Sequence, residues 1–300
     1  MLEIIKGAVS LGLLWAVMTI GVYITYRVLD IADLTVEGSI ALGAAIAAQA
    51  ISKGINPFVA TGIALLGGMA AGLVTGLLHT QLKIPALLSG ILTMIALYSI
   101  NLRVLGKASL SLLRMETVYT AFERLGLDSS WAVISLGFIS VSFVICFLYW
   151  FFGTEVGCAI RATGNNPNMV RAQGINTNTM IIIGLILSNG LVALSGALIA
   201  QNQTFADVQM GAGSIVIGLA SVIIGEVLFG RRNFFLRLIS LAMGAITYRI
   251  IIAFVLKLGM HSNDLKLFTA LTVAVALALP IIKAYLNPPK ISIEEGEQDA

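Results

Sequence analysis

Catalysis by this chain would need a nucleophile, a base, a metal set or a phosphate cradle, and none assembles from its residues. The two histidines, His79 and His261, stand far apart, and neither belongs to a His-Glu-x-x-His motif. Gly106-Lys107 is followed by Ala108 and lacks the upstream glycine of a phosphate loop. In Gly211-Ala212-Gly213-Ser214 the serine has no histidine or other base near it in sequence. Cys146 and Cys158 are two isolated thiols rather than a disulfide framework. The expectation is a chain that is no enzyme and holds neither cofactor nor metal. If ATP drives it, another chain binds the nucleotide.

Polar residues do gather in front of two short glycine-rich stretches. Asp33, Thr35 and Glu37 lead into Gly38 and Ser39; Gln201, Asn202, Gln203, Thr204 and Asp207 lead into Gly213 and Ser214. Irregular backbone at membrane depth persists only where protein or a water-filled cavity meets its hydrogen bonds. Helix starts there aim N–H groups at polar cargo or water. Asp33, Thr35, Glu37, Gly38, Ser39, Asp207, Gly213 and Ser214 are therefore candidate linings of a solute pathway. The alternative is a pair of interfacial loops with helix caps. Glu226 and Arg249 lie inside apolar stretches, where an uncompensated charge costs roughly 2.5–3.5 kcal/mol on insertion scales. For Glu226 the expectation is an ion pair with a nearby arginine, Arg231 and Arg232 lying about one turn further on. Arg249 pairs, snorkels or lines water.

The elements that must position these residues are membrane spans. Of 300 residues 58% are hydrophobic and 11% charged, and the mean hydropathy is +0.96. Soluble chains carry about 25% charged residues, so this surface suits hydrocarbon rather than water. A net charge of +3 is too small and dispersed for nucleic acid, and fits lysines and arginines at the interfaces of a lipid bilayer. Apolar runs near the ~20 residues a helix needs cover 4–27, 57–78, 84–102, 131–152, 179–200, 234–256 and 265–286, with shorter ones at 38–51 and 211–229. The fold expected is all-α: a polytopic transmembrane helix bundle of about nine spans. Residues 104–130 read as a loop with a partly amphipathic helix, and 287–300 as an acidic, disordered tail after Pro288 and Pro289.

An internal repeat organises the spans. Residues 38–45 and 213–220 agree at five of eight positions, an offset of 175 (213 − 38) that also superposes neighbouring spans. Four spans, one connecting span (131–152) and four spans put the second half (179–286) upside down relative to the first (1–103), an inverted 4+1+4 repeat with short broken helices. The transmembrane domain is then 1–286. Arginines at 161, 171, 231, 232 and 237 place their loops in the cytoplasm, with the N-terminus outside, the 104–130 loop outside and the C-terminus cytoplasmic. The spacing Gly68-xxx-Gly72-xxx-Gly76 gives one helix a smooth face for close packing.

The most informative loop is 153–178. Asn166 suits an N-cap with Pro167 at the first helical position, and Gly174 suits the left-handed position after the last turn. The first of two short helices would end at Gly164. The pair, joined by a tight turn, makes a preformed cytoplasmic knob. The run Gly157-x-Ala159-x-Arg161-Ala162-x-Gly164-x-Asn166-Pro167, followed by Arg171-Ala172-x-Gly174-Ile175, closely resembles the permease subunits of bacterial ABC importers, in the family of branched-chain amino acid, ribose and nucleoside permeases. The resemblance extends to Asp33-Leu34-Thr35-Val36-Glu37-Gly38-Ser39 and to the glycine-rich run 67–76. Within the family the first of these looks most like the tryptophan/tyrosine transport permeases. Gly225-Glu226-Val227-Leu228-Phe229-Gly230-Arg231-Arg232 departs from the glycine-rich run of the sugar branch.

The resemblance implies a plasma-membrane machine with a second permease chain (a homodimer), two cytoplasmic ATPase subunits that bind ATP and magnesium, and an extracytoplasmic solute-binding protein. It implies that Gly157, Arg161, Ala162, Gly164, Asn166, Pro167, Arg171, Gly174 and Ile175 form the region contacting the ATPase. The cargo it implies is a small solute, an amino acid and within that class an aromatic one, with nucleosides as an alternative. A secondary transporter with inverted repeats is the main rival, a non-transport scaffold on the same fold a second, and an intramembrane enzyme the weakest.

Overall fold

The computed structural model describes residues 2–124, 126, 128–230, 233–257, 267, 269–275 and 278. Helix α1 (Leu2–Tyr23) runs on through a π-helical turn, Ile24–Val28, and is followed by α2 (Thr35–Ser52), α3 (Pro57–Thr80) and α4 (Ala86–Leu105). A short strand β1 (Ser109–Ser111) and helix α5 (Val118–Glu123) lead to α6 (Ser129–Phe152). Helices α7 (Glu155–Asn165) and α8 (Pro167–Ala172), then α9 (Thr177–Gln203), β2 (Phe205–Asp207), α10 (Ser214–Phe229) and α11 (Phe234–Lys257) complete the described elements. Seven of the described helices are long and apolar enough to cross a membrane, and α10 is shorter. The expectation of an all-α membrane bundle holds. The span expected at 265–286 and the tail at 287–300 lie mostly or wholly outside the described residues; 269–275 are helical.

Local chemistry sets several ends. The Asn56 side chain accepts from the Phe58 N–H at 2.9 Å with Pro57 at the first helical position, so α3 starts there. Asn176 caps α9 by accepting from the N–H groups of Asn178 and Thr179. Helix α4 stops at Gly106, whose φ of +70° is left-handed. Helix α2 corrects the expected 38–51: it opens three residues earlier, because the polar residues that depress hydropathy there form its first turn.

The core sits where α9 passes α1, α2 and α3. A Cβ at Gly68 would overlap the Asn189 carbonyl, and one at Gly72 the Leu185 carbonyl, so α3 lies backbone-close on α9. Ser195 Oγ donates to the Leu14 carbonyl and Ser188 Oγ to the Gly21 carbonyl, both at 2.8 Å, which fixes α1 and α9 antiparallel. One close contact recurs at the offset of 175. Gly43 meets Ala193 while Gly218 meets Met18 (43 + 175 = 218; 18 + 175 = 193). About four-fifths of the α2 span is buried (78%) against 28% for α4, so α2 is an interior element and α4 turns a broad flank outward.

The two ends of the bundle differ. At one, β1 pairs antiparallel with β2, Leu110 opposite Ala206. There Val118 N–H donates to Gln201 Oε1 and the Tyr119 hydroxyl to the Leu198 carbonyl, both at 3.0 Å, pinning α5 to the end of α9. At the other, α7 and α8 fold back beside the π-helical end of α1.

Candidate functional site

Most of the residues singled out from the sequence fall into three places. The first is a buried polar network at the start of α2. Asp33 Oδ1 accepts from the Thr35 N–H at 2.9 Å, and Asp33 Oδ2 from Asn189 Nδ2 at 2.7 Å. Asn189 Oδ1 in turn accepts from Ser39 Oγ at 2.7 Å. Thr35 Oγ1 shares a 2.8 Å hydrogen bond with Thr75, and Thr75 donates to Thr93 at 2.9 Å. Asn189 lies twelve residues (189 − 177) into α9, about 18 Å along its axis, so α2 begins well inside the bundle.

The second place is the meeting of α2 with the start of α10. Glu37 Oε1 accepts from the Gly213 N–H at 3.0 Å. Gly213 has φ +80° and is the N-cap of α10. A Cβ at Gly211 would overlap the Glu37 carbonyl, so the turn before α10 touches α2 backbone to backbone. Beside this junction, Glu37, Gly38, Tyr98, Asn101, Val208 and Gln209 border a cavity of about 570 Å³. Gly38 allows Leu97 of α4 to approach: a Cβ would stand 2.8 Å from its Cδ1. Ser214 Oγ is buried with no hydrogen-bond partner among the described residues. Asp207 stands apart from both clusters, at the end of β2, accepting from the Gln209 N–H at 2.7 Å.

The third place is the knob. Thr154 caps α7 by accepting from the Gly157 N–H at 3.3 Å. A Cβ at Gly157 would overlap the end of α6 at Phe151 and Phe152, and one at Gly164 the Val28 carbonyl. These glycines let α7 lie flat against α6 and the end of α1. Helix α7 ends at Asn165, one residue past the expected Gly164, and Asn166 serves both as its C-cap and as N-cap of α8, accepting from the Met169 N–H at 3.1 Å with Pro167 next. Gly174 has φ +82°; its N–H bonds the Arg171 carbonyl and the Ile175 N–H bonds the Val170 carbonyl, the paired bonds of a Schellman ending. Arg171 Nε donates to Thr177 Oγ1 at 2.8 Å, tying α8 to the start of α9. The Arg161 guanidinium lies 5.2 Å over the Phe234 ring, and Ala162 and Gly164 border a cavity of about 800 Å³ with Arg27, Arg161 and Arg237. Residues 165–169 and 171–174 are exposed around the buried Val170. The result is a capped protrusion with an exposed tip, held by hydrogen bonds within and next to its own helices.

Among the described residues Glu226 pairs with an arginine far away in sequence. Arg27 Nη2 and Nε donate to its two carboxylate oxygens at 3.1 and 3.4 Å, joining the end of α1 to the end of α10; Arg231 and Arg232 lie outside the described residues. Arg249 sits 4.1 Å over the Trp15 ring, an attraction a cation keeps without water. The Glu226 side chain is almost fully buried and that of Arg27 is 40% exposed. Glu226→Ala is therefore expected to lower stability by about 2 kcal/mol, less than a wholly buried pair because Arg27 can turn to water. Glu226→Gln, which keeps hydrogen bonding, costs less; equal melting temperatures for wild type and Glu226→Ala would remove the pair's structural role.

Sequence reasoning missed two buried amides, Asn101 and Asn189, and gave Gln201 no partner. Asn101, Asn189 and Gln201 are each about 1% exposed or less and bond across helices: Asn101 Nδ2 to the Gly38 carbonyl at 3.3 Å, Gln201 Nε2 to Thr61 Oγ1 at 2.8 Å. The signal available was an uncharged amide inside an apolar span, which must find a partner there.

Comparison with known proteins follows the same lines. Residues 4–282 match the family model described as branched-chain amino acid transport system / permease component. The chain is 42% identical over 274 residues to the tyrosine transport system permease protein of Clostridioides difficile (strain R20291), covering 91% of this chain and 90% of that one. It is 26% identical over 210 residues to the ribose import permease protein RbsC of Escherichia coli (strain K12), covering 70% and 65%. Among solved structures, one described as an inward-facing conformation of a metal-chelate type ABC transporter aligns with TM-score 0.50 at 13% identity, over 94% of this chain and 85% of that one. That last likeness concerns the fold.

Proposed function

The chain belongs to the branched-chain amino acid transport permease family, as a multi-span permease subunit of an ABC transporter, and from that premise we propose that it imports an amino acid with an aromatic side chain. The observation that carries the cargo class is the 42% identity, along nine-tenths of both chains, to a tyrosine transport permease. The working unit is a pair of such chains in the bacterial plasma membrane, with two ATPase subunits below and a solute-binding protein outside. ATP and magnesium act on the ATPases. The N-terminus and the β1–β2 end face outward, and the α7–α8 knob and the C-terminus face the cytoplasm. Two inverted halves, 1–103 and 179–286, flank α6. The recurrence of the Gly43–Ala193 contact as Gly218–Met18 supports that division, since a two-fold axis pairs a contact with its partner-swapped copy.

In this reading the knob converts ATPase closure into a tilt of the bundle. Its internal caps support that role, because a force is transmitted only through an element that does not yield. The test is uptake of radiolabelled tyrosine into proteoliposomes holding the chain with its ATPase and binding protein. Uptake that needs ATP and survives collapse of ion gradients supports the reading; uptake that follows an ion gradient without ATP defeats it. Arg161→Ala and Pro167→Ala are expected to reduce uptake about tenfold, as when an interface anchor is lost, while membrane insertion persists. Wild-type uptake in both variants would move the coupling surface elsewhere.

A further inference from the structure

We propose that the cavity between the start of α2, the second half of α4 and residues 208–212 is a subsite for the amino group of an amine-bearing solute, held by the Glu37 carboxylate and the Asn101 amide oxygen. It deepens the transport reading above by naming which part of the cargo this chain recognises.

Two residues that carry acceptors, Glu37 and Asn101, border this cavity, and neither has its acceptors fully used among the described residues. Asn101 is 1% exposed, and its Nδ2 donates to the Gly38 carbonyl, which fixes the amide's orientation. Its Oδ1 is buried without a hydrogen-bond partner among the described residues. Such an orphan acceptor is rare in a folded protein, and a bound N–H group resolves it. Glu37 is half-buried, and its hydrogen bond from the Gly213 N–H engages one carboxylate oxygen. A carboxylate in an apolar setting favours a cationic partner, and no salt bridge among the described residues supplies one to Glu37.

The remaining wall sets what the amine is attached to. Met94, Tyr98 and Asn101 follow one another on one face of α4, at spacings of four and three residues. Met94, Val208 and Ala212 make that wall largely apolar, and the volume of about 570 Å³ suits a small organic molecule rather than a bare ion. The larger cavity beside the knob has the opposite character, bordered by Arg27, Arg161 and Arg237. Acceptors with an apolar wall in one cavity select an ammonium group carrying an apolar body.

Photolabelling of the full chain in nanodiscs tests this without any transport. The probes are 4-azidophenethylamine and 3-(4-azidophenyl)propanoate, which share the ring and differ in amine against carboxylate. The amine probe is expected to label peptides containing residues 94–101 or 208–212, and the propanoate to leave them unlabelled. Glu37→Gln and Asn101→Leu are each expected to cut that labelling about tenfold, the loss of one hydrogen bond to a charged group. Equal labelling by both probes, undiminished labelling in Glu37→Gln, or displacement of the amine probe by sodium chloride as effectively as by phenethylamine overturns the proposal. Melting curves identify a variant that has not folded. If Asn101→Leu is one, the half-exposed Glu37 position decides alone. Labelling needs no ATP, so a chain that fails to move tyrosine and still labels through Glu37 keeps the subsite. One that moves tyrosine and labels without regard to Glu37 loses it.

Discussion

Asp33→Ala is expected to lower the stability of the folded bundle by about 3 kcal/mol, because the buried Thr35 N–H is left without an acceptor while Asn189 Nδ2 keeps only the Leu185 carbonyl. Asp33 is 2% exposed and accepts from the Thr35 N–H and from Asn189 Nδ2. With alanine there, the first free N–H of α2 and the amide of α9 face each other across a gap closed to water. Water cannot easily take the vacated place, because Gly90 of α4 packs against this turn: a Cβ on it would stand 2.8 Å from the Leu34 nitrogen and 3.4 Å from Asp33 Oδ1. Asp33→Asn keeps one acceptor and loses the charge, so it is expected to cost about half as much. Asn189→Ala breaks the same network from the other side, and the two alanine substitutions combined are expected to cost clearly less than their sum. Thermal unfolding of purified protein in detergent gives all three values. An Asp33→Ala melting temperature equal to wild type would reduce the network to a geometric coincidence.

That network also shows where the sequence was legible and where it was not. The long spans are readable because a helix crossing about 30 Å of hydrocarbon needs a run of apolar residues; α3, α6, α9 and α11 begin and end within a few residues of those runs. Helix α2 was misjudged at its start for the same reason. Glu37 and Thr35 count against a span in any hydropathy sum, yet they lie in its first turn, paid for by partners that sequence separation hides: Asp33 with Asn189 at 156 positions, Glu37 with Gly213 at 176. The caps of the knob were local, a matter of Asn166, Pro167 and Gly174 within one loop, and local signals survive reading in one dimension. The β1–β2 pairing was not readable, since three residues per strand carry too little alternation. Glu226 called for an arginine, and among the described residues one answers from 199 positions away on α1, while the nearby Arg231 and Arg232 lie outside them. Residue type announces that a partner is needed, and only the fold says which.

Gly164→Ala is expected to depress uptake on the order of 100-fold while leaving the protein inserted in the membrane, since misplacing a functional group by about 1 Å can cost that much. A single Cβ at Gly164 would overlap the Val28 carbonyl oxygen and stand 2.8 Å from the Leu29 Cα. Both obstacles are backbone at the π-helical end of α1, so no side chain can swing aside. Strain must move α7 itself, and with it Arg161 and the tip at Pro167. The hydrogen bonds within α7 and α8 do not depend on that seat: Asn166 still caps α8, and the Schellman ending at Gly174 is intact. The knob therefore stays folded and shifts as a unit. The outcome separates two roles for α7. If it only fills space, a displaced knob costs stability in proportion and uptake follows the amount of folded protein. If it transmits motion, uptake per folded molecule falls while ATP hydrolysis by the partner continues. Gly157→Ala, which would strike Phe151 and Phe152 at the other end of α7, is expected to behave alike. Gly7→Ala, with open space around it in α1, is expected to be neutral or slightly stabilising, as alanine is the better helix former. Uptake per folded Gly164→Ala molecule at the wild-type level would show that the seat of α7 on α1 carries no part of the coupling.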